Sequence, residues 1–399
     1  MGTRYEGQSA TIIGGSIGGL QSGLLLRDLG FSVDVYERTP TELDSRGGGI
    51  VLQPEMMRWF HERSQHQPEQ LSTSSQFLRY LAADDSIIHE EPAVWRFTSW
   101  STLYRALLSD FGAEHYHLGQ TFVGLSQDEN SIEVRFANGK TVSSDMAIFA
   151  DGITSTGRKR LVPDFGHEYS GYIGWRGTVV ESELSESALA LLGDSLTFAF
   201  GQSSQICIYP IPATDGSLES GRRLINYVWY QNLDAGPELD EFLTDTSGFR
   251  GEVSVHPGKV QQRYIDAMRA VAERILPPSA RELVLKTEHP YIQLILDGRI
   301  PHYAFGRAVL LGDAGFVARP HAAAGTAKAA AEAWSLAEAL DSATGTLPEA
   351  LAAWEVQQLS VGSNLVERAQ YMGRRSQFTS DWDPQDLGLR FGLSIPAPR

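Results

Sequence analysis

The chain has 399 residues, 42% apolar and 21% charged, which is enough for two packed domains of ordinary globular composition. A formal net charge of −16 argues against nucleic acid or an anionic membrane as partner, because both call for a basic surface. The single cysteine, Cys207, excludes an internal disulfide and any multi-cysteine metal site, fits a reducing cytoplasm, and leaves no metal expected; no segment reads as a signal peptide or a membrane span.

The first elements form a nucleotide-type unit. Residues 10–13 (ATII) and 31–37 (FSVDVYE) read as buried strands of one parallel sheet. Between them Ile17, Leu20 and Leu24 recur at helical spacing, and Gly30 ends the helix. The connecting turn nearly matches G-x-G-x-x-G: Gly14 and Gly19 are in place, and Ser16 holds the middle slot. The first glycine permits a tight turn and the last lets helix and strand approach. Ser16 is small and can donate to a phosphate at the helix N-terminus, where free N–H groups favour negative charge. Glu37, at the end of the second strand, is placed to accept from a ribose hydroxyl and would repel a 2′-phosphate. The competing reading is a glycine-rich turn with no ligand.

Further along, residues 131–152 pair an alternating hairpin with a buried strand, MAIFA, which ends in Asp151-Gly152. Asp151, Gly152, Ser155 and Arg158 fit D-G-x-x-S-x-x-R. From about 170 to 295 the chain is strand-rich, with the alternation of an antiparallel sheet covered on one face. A buried strand after Arg307 leads to Gly312-Asp313, then to Pro320 and to Gly325 opening an alanine-rich helix near 324–341. A helical tail follows from about Leu347 to Arg375, and the end is loop-like. Singly the Asp-Gly and Gly-Asp pairs are turns; in this order they are far more specific.

With these three motifs the chain resembles the single-component FAD-dependent aromatic hydroxylases, over nearly its whole length. The resemblance implies an α/β fold: a discontinuous Rossmann-like FAD-binding domain, an inserted substrate domain on a mostly antiparallel sheet, and C-terminal helices. The expected divisions are 1–75, 96–168 and 276–345 for the FAD domain, 76–95 and 169–275 for the substrate domain, and 346–399 for the tail. The implied reaction is hydroxylation of an electron-rich aromatic or N-heteroaromatic ring with NADH or NADPH and O₂, through a flavin C4a-hydroperoxide. FAD is expected to be non-covalent, since no cysteine or histidine stands where the family attaches it, and the nicotinamide transient, since no second glycine-rich turn exists. A cytoplasmic enzyme is expected, with a homodimer admitted.

The implied cofactor residues are Gly14, Ser16, Gly19, Glu37, Arg38, Asp151, Asp313, Pro320 and Gly325. Two departures stand out. Phe149 replaces the usual glycine before Ala150-Asp151, and Trp100 occupies the slot of a flavin-contacting arginine, for which Arg46 is the substitute. His321, whose ordinary pKa lies near neutrality, is the candidate base for a ring hydroxyl, and Tyr209 a candidate donor. Gln53, Trp175 and Arg176 are the further substrate candidates, the last two at the domain boundary. Two alternatives share the fold: an oxidase or reductase that does not hydroxylate, and a non-catalytic binding protein on a relic FAD fold.

Overall fold

The computed structural model describes residues 4–43 and 48–395. Its first layer is a six-stranded sheet centred on Ser9–Ile13, which pairs in parallel with Ser32–Tyr36 on one side and Met146–Phe149 on the other. Ala308–Leu310 continues the sheet in parallel beyond Met146–Phe149. Ile12, Val33, Val35, Ile148 and Val309 are all buried, as continuous apolar strands covered on both faces require. The helix Ile17–Asp28 packs against Gly325–Ser342 and Trp100–Phe111. Its approach to the last is close, because a Cβ at Gly23 would lie 2.8 Å from the Phe111 ring.

The second layer is an eight-stranded sheet. Its central strands are Tyr291–Asp297, Glu168–Val180, Leu224–Asn232, Ser204–Ile211 and Ser195–Gly201, in that order. Every pairing is antiparallel except that of Ser195–Gly201 with Phe77–Leu81. Side chains alternate between two faces. Ile173, Trp175, Ile206, Ile208, Tyr227 and Trp229 point away from the first layer and pack with helices Glu186–Leu192, Gln262–Ile275 and Pro278–Lys286. Tyr172, Cys207, Tyr209, Val228 and Tyr230 share the opposite, inner face with Val51 and Phe97. Each fully buried large apolar side chain contributes about 1.5–3 kcal/mol, so both faces hold the sheet firmly.

Two expectations change here. Trp175 does not line the boundary between the domains. The period of two places it on the outer face, where its indole N–H donates to Gln231 at 2.8 Å. The substrate unit also runs further than residue 275. Pro278–Lys286 packs on the outer face and Tyr291–Asp297 is a strand of the sheet, so the chain returns to the first layer after residue 297.

The helix Leu347–Gln377 spans both layers, packing against Gly325–Ser342 and against Ser204–Ile211. The segment beyond it is irregular but anchored. Trp382 stacks on Phe200 at 4.8 Å, and the Gly392 N–H donates to the Ala322 carbonyl at 3.2 Å. Among the described residues no helix is long and apolar enough to cross a membrane.

Candidate functional site

The glycine turn sits at the carboxyl end of the central strand. Gly14 has φ +106, and a Cβ there would collide with Ala150; one at Gly19 would collide with the Gly14 carbonyl. Ser16 caps the helix Ile17–Asp28 by position only, since its side chain makes no cap hydrogen bond. Its hydroxyl and the first helical N–H groups are therefore available to an anion. Glu37 tethers the turn: one carboxylate oxygen accepts from Gly15 N–H at 3.0 Å, the other from the Thr39 N–H and hydroxyl at 3.0 Å each. A carboxylate offers about four acceptor sites, so one remains on the oxygen facing Gly15.

Behind the turn lies a support that sequence reasoning missed. Tyr116 donates to the Gly15 carbonyl at 2.9 Å, and Tyr104 donates to Tyr116 at 3.2 Å. Trp100 stacks on Tyr104 at 5.1 Å. A cleft of about 240 Å³ opens here, lined by Gly14, Ser16, Glu37, Arg38, Trp100 and Asp151 among others. Arg38 stands at its rim and donates to the Thr154 hydroxyl at 3.4 Å.

The other two motifs are stapled together. Asp151 reaches the cleft, but its carboxylate braces the start of the helix Thr156–Leu161, accepting from Ser155, from Thr156 N–H at 2.7 Å and from Gly157 N–H at 3.0 Å. Arg158 is buried and donates to the backbone carbonyls of Asp313, at 2.8 Å, and of Ala314 and Ile153. That is the physical content of the D-G-x-x-S-x-x-R spacing: Ser155 is the N-cap, accepting from Arg158 N–H at 2.8 Å, Asp151 braces Ser155 and the first turn, and the Arg158 side chain locks the two turns together. Phe149 is accommodated because residue 157 is glycine; a Cβ there would lie 2.5 Å from its ring.

Gly312, at φ +65, is held by a buried pair on the helix Gly325–Ser342. Lys328 donates to the Gly312 carbonyl at 2.7 Å and to Glu332 at 3.1 Å, while Glu332 accepts from Gly312 N–H at 2.6 Å and from the Tyr303 hydroxyl at 2.6 Å. Lys and Glu four apart inside an alanine-rich helix was a visible signal for this clamp. The clamp leaves Asp313 as the exposed residue in an otherwise buried run, with no side-chain partner among the described residues.

The loop Pro320–Ala324 leads into the same helix. Ala323 adopts a left-handed conformation, φ +51, and its carbonyl accepts from Gln53 at 2.6 Å. Gln53 in turn accepts from Leu393 N–H at 2.9 Å. Gln53, expected to touch substrate, thus ties the loop to the C-terminal segment with both ends of its amide. Gly325 opens the helix, and a Cβ there would meet nothing within 4 Å, so the space over the helix N-terminus is open.

His321 is 2% exposed, and both ring nitrogens are engaged. Nδ1 lies 3.1 Å from Gln205 Oε1 and Nε2 lies 2.8 Å from the Tyr172 hydroxyl. Gln205 Oε1 can only accept, so Nδ1 carries the proton and Nε2 accepts from Tyr172. Burial, aided by the nearby Arg319 guanidinium, pushes its pKa down to about 3. This corrects the base assignment. A neutral imidazole with both nitrogens bonded inside the protein holds the loop to two strands of the sheet, and has no free lone pair for a substrate proton. Tyr172 is itself pushed up to about 12 by burial, partly countered by Arg319, which pairs with Asp297 at 2.7 Å.

Tyr209 and Arg176 do face the inner space. Tyr209 stacks on Phe97 at 4.7 Å, and burial raises its hydroxyl well above the ordinary range, which suits a donor and not a base. Arg46 lies outside the described residues.

These residues fit an FAD. Gly14, Gly15 and Gly19 have no room for a Cβ, the Ser16 hydroxyl and two helix N-termini are open, Asp313 presents a free carboxylate, and Glu37 keeps an acceptor site.

Comparison with known proteins agrees. A family profile described as FAD binding domain-like matches residues 169–297. The chain is 36% identical to 2,6-dihydroxypyridine 3-monooxygenase of Paenarthrobacter nicotinovorans, over 96% of this chain and 95% of that protein. The solved 2,6-dihydroxypyridine-3-hydroxylase from Arthrobacter nicotinovorans superposes with a TM-score of 0.91 at 34% identity, covering 98% of both chains. HpxO of Klebsiella pneumoniae, solved with FAD and uric acid, shares the fold at a TM-score of 0.76 and 21% identity, over 98% of this chain and 92% of that one.

Proposed function

The chain belongs to the FAD-dependent aromatic-ring monooxygenases, and from that premise we propose that its substrate is a hydroxylated pyridine-type ring held against the inner face of the eight-stranded sheet. Bound FAD, reduced by NAD(P)H, supplies the activation of O₂ and the transfer of one oxygen atom to the ring. The protein supplies placement and electrostatics. Gly14, Ser16, Gly19, Glu37 and Arg38 would hold the adenylate end. Asp313 would accept from the hydroxyls of the chain joining pyrophosphate to flavin. Pro320 and Gly325 would bring the open N-terminus of Gly325–Ser342 towards the flavin ring, where a helix dipole favours negative charge by about 1 kcal/mol. Asp151 would act through the helix it braces.

The observation that carries the substrate reading is the inner face itself. Tyr209, Tyr230, Tyr291, Asn226 and Arg176 bring hydroxyl, amide and guanidinium groups together there, and no carboxylate joins them among the described residues. Such a surface suits a small planar ring with oxygen substituents. His321 and Gln53 are positioning residues in this reading, since they fix the loop that lies across the site. The test is to purify the flavin-loaded protein and screen hydroxypyridines and phenols for stimulated NADH or NADPH oxidation and a product heavier by one oxygen. Phenols hydroxylated with pyridines ignored would overturn the substrate class.

A further inference from the structure

The inner face carries one cation without a counter-charge. Arg176 stands opposite Tyr291 on one neighbouring strand and Val228 on the other. It makes no ion pair among the described residues, and its Nε has no hydrogen-bond partner. Arg79 is answered by Glu90; Arg158 and Arg368 also leave Nε unpaired and meet no carboxylate, but their terminal nitrogens donate to backbone carbonyls, whereas the part-buried Arg176 faces only side-chain hydroxyls, a thiol and an amide. The groups facing Arg176 are Tyr291, Tyr230, Tyr209 and Cys207. Burial raises all four, so none is an anion at neutral pH. Beside them Asn226 is 1% exposed. Its Oδ1 accepts from Gly49 N–H at 3.0 Å, while its Nδ2 has no acceptor. Backbone without side chains closes over the group: a Cβ at Gly48 would lie 3.1 Å from Arg176 Nη1, and one at Gly49 would lie 2.8 Å from Asn226 Nδ2. The Arg176 Nε and the Asn226 Nδ2 are thus two buried donors without acceptors on neighbouring strands, and such donors are costly unless something else completes them.

We infer that Arg176 and Asn226 form an anion subsite that receives the ionised oxygen of an aromatic monoanion. This rests on the reading that the substrate lies against the inner face. The ring hydroxyl releases its proton to bulk solvent, and the guanidinium then favours the oxyanion. No side-chain base is required, in keeping with the engaged nitrogens of His321. The bound ring is electron-rich because it arrives ionised. Two sources of such an oxygen exist, an ionised ring hydroxyl and a ring carboxylate.

The test is equilibrium titration of the flavin-loaded enzyme, followed by flavin absorbance, with 2,6-dihydroxypyridine, benzoate and neutral benzamide. Arg176→Met should weaken 2,6-dihydroxypyridine by roughly 30-fold or more, and Arg176→Lys by less than about tenfold, with benzamide unmoved by either. In the wild type the Kd for 2,6-dihydroxypyridine should be flat above that ligand's own pKa and rise about tenfold per pH unit below it. Asn226→Asp keeps an acceptor for Gly49 and supplies the missing counter-charge internally. It should weaken both anions by at least about tenfold and leave benzamide unchanged. That variant and Arg176→Lys decide the matter should Arg176→Met fail to fold. Equal losses for charged and neutral ligands, or no loss in either variant, would overturn the subsite. An Arg176 dependence found for benzoate but not for 2,6-dihydroxypyridine would keep the subsite and reject the hydroxypyridine reading.

Discussion

His321 gives the most quantitative prediction. It is buried, neutral and bonded through both nitrogens, with its pKa pushed from the ordinary 6.5 to about 3. The unfolded chain therefore takes up a proton below pH 6.5 that the folded chain refuses until about pH 3. Stability from this residue is complete above the unfolded value and is lost as pH falls through the interval. Each pH unit inside it costs about 1.4 kcal/mol, so at pH 5 the loss is about 2 kcal/mol. The comparison is urea unfolding of wild type and His321→Gln, both with excess FAD, at pH 7.5 and pH 5. Wild type should lose about 2 kcal/mol more than the variant over that span. His167, also depressed by burial, is present in both proteins and cancels. The same argument says that no limb of the kcat profile between pH 5 and 9 belongs to His321. Parallel loss of stability in the two proteins would refute the buried-neutral assignment, and a kcat limb abolished by the substitution would restore the base role.

Two further outcomes follow from the cofactor side of the site. Asp313→Ala should weaken FAD binding by about tenfold or more, as loss of a hydrogen bond to a charged group requires, without changing the Tm of the flavin-free protein; an unchanged Kd for FAD would remove Asp313 from the site. Glu332→Leu should destabilise by about 3–5 kcal/mol, because it leaves Lys328 buried and unpaired. Adding Lys328→Met should restore much of that loss in thermal unfolding, and a double variant as unstable as the single one would show that the pair is not the source.

The nucleotide half of the fold was legible because its signals are local. A glycine turn between two apolar strands, with Glu37 at the far end, states both the geometry and its purpose within a short stretch. Asp151, Ser155 and Arg158 announced a motif, although only the structure shows that Ser155 caps, Asp151 braces and Arg158 staples. The substrate face was harder to read. Alternation along 168–180 shows that Trp175 and Arg176 lie on opposite faces, but not which face meets the first layer; that depends on helices more than a hundred residues away, such as Pro278–Lys286. His321 was misjudged because a histidine in a loop carries no sign of its burial. Tyr172 and Gln205, which engage it, come from two separate strands. Asn226 gave no local signal at all, since what sets it apart is a buried amide nitrogen without an acceptor.

The two-faced sheet also bears on how such an enzyme can change. Along Glu168–Val180, Ser204–Ile211 and Leu224–Asn232, residues of the inner face alternate with residues that hold the outer helices in place. Variation at Arg176, Cys207, Tyr209 and Val228 changes the inner face while Trp175, Ile206, Ile208, Tyr227 and Trp229 stay fixed, whereas Gln205 and Asn226 also hold the loop at His321 and the backbone at Gly49. The inner register shapes the site while the outer register anchors the helices, so changes on the two faces of the same strands have different consequences. A combinatorial library confined to the inner register, with Gln205 and Asn226 kept, would vary the site while leaving the outer helices anchored.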